Sequence, residues 1–180
     1  PHGGGCTFSA AIAAHLALGS ELVEAVEKAE KFIDVSLKYA LRVGGGRAPL
    51  NPLVSLYNDS ERFRVIDEVV AAARMIEASP EFIDHVAEVG TQVAMAVPYP
   101  ASLEDVAAIE GRIIKLLGKP KAAGAARFGA SQHIASIILT AMRFEPQTRA
   151  ALNLHYNPKL VEALRNASLR VASFDRSLEP

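Results

Sequence analysis

Nine residues, Gly44-Gly45-Gly46-Arg47-Ala48-Pro49-Leu50-Asn51-Pro52, set the firmest limit on how this chain can fold. Three consecutive glycines lose too much conformational freedom inside a helix or strand, and each proline removes a backbone donor, so no regular element is expected to cross the segment. It reads as an inter-domain linker, and the hydrophobic pattern differs on its two sides. Before it, Phe8 to Leu18 is a helix of small apolar residues closed by Gly19. A second helix starts at Glu21, carries Leu22, Val26, Ala29, Ile33, Leu37 and Leu41 on one face, and has Gly44 as its stop. No strand pattern separates the two.

Beyond the linker, helical and strand periods alternate. Asp59 or Ser60 is expected to cap a helix with Phe63, Ile66, Val70, Ala73 and Ile76 as its stripe. Ser79-Pro80-Glu81 starts a short helix with proline in the first position, and Glu88-Val89-Gly90 ends it. Thr91 to Val97 alternates, with Val93, Met95 and Val97 on one side and Gln92, Ala94 and Ala96 on the other, until Pro98-Tyr99-Pro100 terminates the strand. Ser102 and Asp105 have capping-box spacing, which predicts a turn or short helix before Val106. Further on, Gly111 to Leu117, Ala150 to His155 and Leu169 to Phe174 read as strands, and Pro158 to Asn166 as a helix with Leu160, Val161 and Leu164 inward. The expected fold class is α/β, with helices on a small mixed sheet in three layers (α/β/α) behind a helical N-terminal region. At 180 residues and 50% hydrophobic composition the chain can bury a sizeable core.

The chemical signal is a local excess of cations. Arg112, Lys115, Lys119, Lys121 and Arg127 crowd together in a chain whose formal net charge is -1. They lead into Phe128-Gly129-Ala130-Ser131-Gln132-His133, which opens a helix with Ile134, Ile137, Ile138 and Ala141 as its expected buried stripe. Gly129 or Ser131 is the expected N-cap. His133 then lies in the first turn, beside N–H groups without helical partners and the positive end of the dipole, where a phosphate or diphosphate is stabilised. Gly129, Ala130 and Ser131 are therefore candidate phosphate binders, with Arg127 and Lys115 within reach. Asn153 and Asp175 fall at expected strand ends, where open sheets bind ligands.

Two family resemblances follow. Gly3-Gly4-Gly5-Cys6-Thr7-Phe8-Ser9-Ala10-Ala11-Ile12 and the helix pair after it resemble the C-terminal end of the hydroxymethylpyrimidine and phosphomethylpyrimidine kinases of the ribokinase superfamily. The resemblance covers residues 1–43 and implies a glycine-rich anion hole, with Cys6 at the position of the catalytic base. A thiol at a helix N-terminus can serve as one. The rest of such a kinase, including its ATP site, would lie before Pro1, so the chain is expected to be the C-terminal part of a longer protein and Cys6 to be inactive within it.

From Leu53 onward the chain resembles the ThiN-type thiamine-phosphate synthase domain, which in archaea is often fused behind that kinase. Carrying the resemblance are Glu110-Gly111-Arg112-Ile113, Phe128 to Ala135, Leu152-Asn153-Leu154-His155-Tyr156 and Ser173-Phe174-Asp175-Arg176. It implies a domain over 53–180, truncated at its C-terminus, that joins hydroxymethylpyrimidine diphosphate to thiazole phosphate and releases pyrophosphate. Arg112 and His133 match the arginine and histidine that the family is thought to need. A guanidinium holds two phosphate oxygens bidentately, which lysine cannot, and an imidazole can donate to or protonate the leaving group. Magnesium on the diphosphate is expected by analogy, with its ligands unknown. A non-catalytic sensor of thiamine phosphates, the role of this domain when fused to a helix-turn-helix, is the alternative.

Several classes are set aside. The near-neutral charge argues against a nucleic-acid surface. A single cysteine, with His2, His15 and His85 lacking ligand spacing, gives no zinc site and fits a reducing cytoplasm. No apolar run approaches the roughly 20 residues of a membrane span, and no membrane partner is expected. An exposed sheet edge would favour a homodimer.

Overall fold

A computed structural model of the chain describes residues 2–172. They fall into two units, one formed by residues up to 64 together with 97–102, the other by residues 65–96 and those from 103 onward. In the first unit, α1 (Gly4–Ala17) and α2 (Leu22–Lys38) pack together across a turn at Gly19, whose φ of 90° opposes a side chain. α1 starts earlier than its apolar run because Gly3, also left-handed, caps it. On α2 the buried positions are Ala25, Ala29 and Ser36, whereas Leu22, expected inward, is exposed. Residues 44–52 contain no helix or strand. The segment 97–102 lacks a ladder, and side chains satisfy its backbone instead. Asn58 accepts from the Tyr99 N–H (3.0 Å) and donates to the Tyr99 carbonyl (2.8 Å). The Pro100 carbonyl accepts from the Tyr39 hydroxyl (2.5 Å) and the Lys38 ammonium (2.8 Å).

α3 (Val54–Glu77) begins ahead of the expected Asp59 or Ser60. Its buried positions in the second unit are Val65, Val69, Ala73 and Ile76, while Phe63 is 78% exposed. Two apolar phases coexist along this helix, about 100° apart for each residue of offset, and the sheet selects which one faces inward.

The second unit contains a four-stranded sheet of order β5-β2-β1-β6, built from β1 (Val93–Ala96), β2 (Val106–Ile109), β5 (Ala126–Phe128) and β6 (Ala150–Leu152). Every pairing is antiparallel, which corrects the mixed sheet expected. A parallel pair needs a long crossover between neighbouring strands, and here α4 (Gln132–Phe144) joins β5 to β6 at opposite edges instead.

Central strands are buried on both faces, as the uniformly buried Val106-Ala107-Ala108-Ile109 shows. Ala94, Ala96, Val106 and Ala108 meet Ile134, Ala135, Ile138 and Met142 of α4, while Ala107 and Ile109, with Val93 and Met95, meet Val65, Val69, Ala73 and Ile76 of α3. Three layers, helix on sheet on helix, result as expected. Burial of each such Val or Ile contributes about 1.5–3 kcal/mol.

Between β2 and β5 the chain makes a hairpin, β3 (Ile113–Leu116) and β4 (Lys119–Ala122). Its turn residues, Leu117 (φ 49°) and Gly118 (φ 74°), are both left-handed, as a two-residue type I′ connection demands. β4 escaped the pattern reading because Lys-Pro-Lys-Ala has no apolar alternation, and its proline is tolerated in a strand paired on one side only. Ahead of β1, Pro80–His85 forms the expected short helix as a 3-10 turn, and Leu103–Asp105 does the same before β2. α5 (Pro158–Asn166) is capped by Asn157, whose side chain accepts from the Lys159 and Leu160 N–H groups. Residues 169–172 form no strand, contrary to expectation, and 173–174 lie outside the described residues. Among the described residues no helix is long and apolar enough to cross a membrane.

The hairpin is tied to α3 by Glu77, whose carboxylate accepts from the Ala122 N–H (2.8 Å) and pairs with Lys121 (3.0 Å). The Ala122 bond, then Lys121, hold this carboxyl below its ordinary value of 4.5. A lowered folded-state pKa contributes stability that is complete above the ordinary value and is lost as pH falls through the lowered one. Glu77→Ala is therefore expected to cost about 1 kcal/mol at neutral pH. In urea melts its deficit against the parent chain should shrink progressively below pH 4.5.

Candidate functional site

Arg112 stands between β2 and β3 in the left-handed conformation (φ 70°), directly after Gly111 (φ 69°). Such a conformation costs a non-glycine residue about 1–2 kcal/mol, so its surroundings must enforce it. The Arg112 N–H donates to the Ile109 carbonyl (3.3 Å), and its own carbonyl accepts from Ala123 (2.9 Å). Its guanidinium donates to the Val89 carbonyl (3.1 Å). At Gly90 (φ 89°) a Cβ would lie 3.2 Å from both the Arg112 Cβ and the Ile113 carbonyl oxygen, so glycine permits this close approach.

The segment leading into β1 clamps the Arg112 turn from both ends. Thr91 and Ile113 exchange two backbone bonds of 2.8 Å each. The Gln92 side chain, 4% exposed, donates to the Ile109 carbonyl (2.8 Å) and accepts from the Ile109 N–H (3.0 Å). An amide thus replaces a ladder residue where the β1–β2 register, Ala94↔Ala108 to Ala96↔Val106, ends. On its other side Gln92 pairs with Asn153, just past β6. The Asn153 N–H donates to the Gln92 carbonyl (3.1 Å), and the Gln92 N–H donates to Asn153 Oδ1 (2.5 Å).

A small pocket of about 30 Å³ opens where these elements meet the start of α4, lined by Gln92, Arg112, Ser131, His133, Ile134, Ile137 and Asn153. Ser131 is the N-cap of α4, as expected, but its hydroxyl makes no capping bond, which leaves it available to the pocket. His133 occupies the first turn and is exposed. Because Asn153 Oδ1 is engaged by a donor, its amide nitrogen is the group left for the pocket. Ile134 and Ile137 form an apolar wall, and Ile137, expected in the core, is 36% exposed here while Ala135 and Met142 take its place inward. Each polar residue lining this space carries a group that can donate, and none of its lining residues is a carboxylate.

The remaining candidates are distributed elsewhere. Gly129 (φ 73°) makes the turn into α4, where a Cβ would overlap the Glu104 carboxylate, and Ala130 packs against the α4 core. An anion at this helix start therefore has room on the Ser131–His133 side. Arg127 pairs with Glu110 (2.7 Å), and Lys121 pairs with Glu77. Lys115 is exposed on the hairpin, and Lys119 and Lys121 line a separate open cleft with Leu116, Leu117 and Pro120. Cys6 is an exposed free thiol of the first unit, and Asp175 lies outside the described residues. Among the described residues no group of three His, Cys, Asp or Glu side chains could hold a metal, so the donor set present does not fit a protein-held magnesium ion. Pattern reading missed Gln92 and Ile137. The signal for Gln92 was a lone amide on the alanine face of an otherwise apolar strand.

Comparison with known proteins finds relatives for both ends of the chain. Residues 68–180 match the thiamine-phosphate synthase ThiN family and residues 1–51 the phosphomethylpyrimidine kinase family. The chain is 37% identical over 184 residues to the bifunctional thiamine biosynthesis protein ThiDN of Methanocaldococcus jannaschii, covering 99% of this chain and 41% of that protein. With the thiamine-phosphate synthase ThiN of Methanothermobacter thermautotrophicus it shares 34% identity over 115 residues, 64% of this chain and 60% of the relative. It therefore spans less than two thirds of either relative. A crystal structure of the C-terminal domain of phosphomethylpyrimidine kinase aligns with a TM-score of 0.58 at 36% identity, covering 67% of this chain and 68% of that one.

The pocket's contents predict a contrast between two arginines. Calorimetric titration with inorganic pyrophosphate should show Arg112→Ala weakening binding by roughly tenfold or more, the loss of a charge-assisted bond. Arg127→Ala, which removes an exposed ion pair, should change it by less than about twofold.

Proposed function

The chain belongs to the thiamine-phosphate synthase ThiN family, and from that premise we propose that its second unit condenses hydroxymethylpyrimidine diphosphate with thiazole phosphate to give thiamine phosphate and pyrophosphate. The observation that carries this reading is the convergence of Arg112 and His133 on one pocket whose polar residues each carry a group that can donate and include no carboxylate. An acidic pocket would repel a diphosphate; this one attracts it without a metal cage.

In the reaction the thiazole nitrogen attacks the pyrimidine methylene carbon while the bond from that carbon to the diphosphate oxygen breaks. The electron pair leaves on the diphosphate, and the nitrogen becomes cationic. Negative charge grows on the leaving group, so donors fixed in advance lower the barrier most. Arg112 presents a planar fork to two phosphate oxygens. His133, in the first turn of α4, donates to the same group or passes it a proton. Ser131 and the first N–H groups of α4 add neutral donors under the positive helix end. The pocket is small, so it grips one phosphoryl end and leaves the ring to lie along Ile134 and Ile137. A Mg2+ ion, if carried by the diphosphate oxygens, would neutralise part of the charge that grows on the leaving group. ATP chemistry and a base role for Cys6 belong to a complete phosphomethylpyrimidine kinase domain, not to residues 1–51 by themselves.

The purified chain, supplied with both substrates and magnesium, is expected to form thiamine phosphate. His133→Ala should lower turnover by roughly a hundredfold, and Arg112→Lys should fail to restore what Arg112→Ala removes. Tight thiamine phosphate binding by the parent chain without turnover would replace the synthase with a sensor.

A further inference from the structure

We propose that Gln92 is a positioning residue of this pocket, its side-chain amide setting the turn that carries Arg112. The inference rests on reading Arg112 and Asn153 as anion ligands and adds what orients Arg112. Gln92 is one of the few buried polar residues among the described residues of the second unit, and at 4% exposure it leaves little room for water to substitute for a lost bond. Both ends of its amide are committed to Ile109, the first residue of the four-residue turn that closes with the Arg112 N–H on the Ile109 carbonyl. The Ile109 carbonyl thus accepts from Gln92 and from Arg112 together, so a shift of the one is felt by the other.

Arg112 needs this support more than an ordinary turn residue does. It is left-handed and half-buried, and its guanidinium direction is set by the backbone that carries it. Without the Gln92 amide, the Ile109 N–H at the end of β2 would have no partner and the Ile109 carbonyl only the 3.3 Å bond from Arg112, so the turn would relax toward a conformation that satisfies the freed N–H. Asn153 is governed separately. Its Oδ1 is held by the main-chain N–H of residue 92, which any non-proline residue there would supply.

The test compares Gln92→Leu and Gln92→Met in two backgrounds by titration with inorganic pyrophosphate. In the parent chain each variant is expected to weaken pyrophosphate binding roughly tenfold, as misplacement of a bidentate ligand does. In a background of Arg112→Lys with Asn153→Ala, the same changes should cost less than about twofold, because a lysine is a flexible point charge that does not depend on the direction of its turn. Gln92→Met keeps the length of the side chain and adds no charge, so it carries the comparison should Gln92→Leu fold poorly. Equal losses in both backgrounds, or no loss in the parent chain, would overturn the positioning role while leaving the site intact. If Arg112→Lys with Asn153→Ala binds pyrophosphate as the parent does, the reading of the pocket fails and the role of Gln92 with it.

Discussion

A buried amide that stands in for a peptide group holds the site together. β1 and β2 share only three registered pairs, and where they part the Ile109 N–H would be left without a partner and its carbonyl with the Arg112 N–H alone. Leaving one such group unpaired costs about 1–3 kcal/mol. Gln92 answers both of them at once, and Thr91 and Asn153 extend the same repair to β3 and to the chain after β6. Three segments distant in sequence are thereby gathered at one point, and the pocket is the space their divergence leaves. Asn58 does the same for Tyr99 in the first unit, so side-chain amides as peptide surrogates recur in this chain.

The sheet around that point is built for close approach. Ala94, Ala96, Ala107 and Ala108 occupy the central strands, and all are fully buried. Small side chains on both faces let α3 and α4 lie near the sheet, with the larger Ile and Val side chains supplied mostly by the helices. The start of α4 is fixed by this packing rather than by a side-chain cap. That freedom matters, because a Ser131 hydroxyl spent on capping would not be available to a ligand.

Electrostatics in the second unit is local. Five cations lie close in the sequence, but folding sends them to different places: Arg112 into the pocket, Arg127 to Glu110, Lys121 to Glu77, and Lys115 and Lys119 to the outer hairpin. A chain of net charge -1 needs no broad basic surface to bind a diphosphate. One guanidinium in a small, partly apolar recess, with neutral donors around it, achieves more than several solvated lysines, whose attraction is screened within about 8–10 Å.

Much of this was legible in the residues alone. Period and punctuation located α1, α2, β1, α4 and α5, and narrowed the N-cap of α4 to Gly129 or Ser131, because each depends on side chains within a few positions of one another. The motifs around Arg112 and His133 pointed to the family for the same reason. Several features were decided only by the tertiary structure: the phase of α3, the all-antiparallel sheet, the hairpin through Lys119-Pro120, the outward turn of Ile137 and the dispersal of the cations. Each depends on a partner remote in the chain, and local spacing carries no record of it. Gln92 is the sharpest instance. In sequence it is one polar residue in an apolar strand, and only the departure of β1 from β2 gives its amide a backbone to complete.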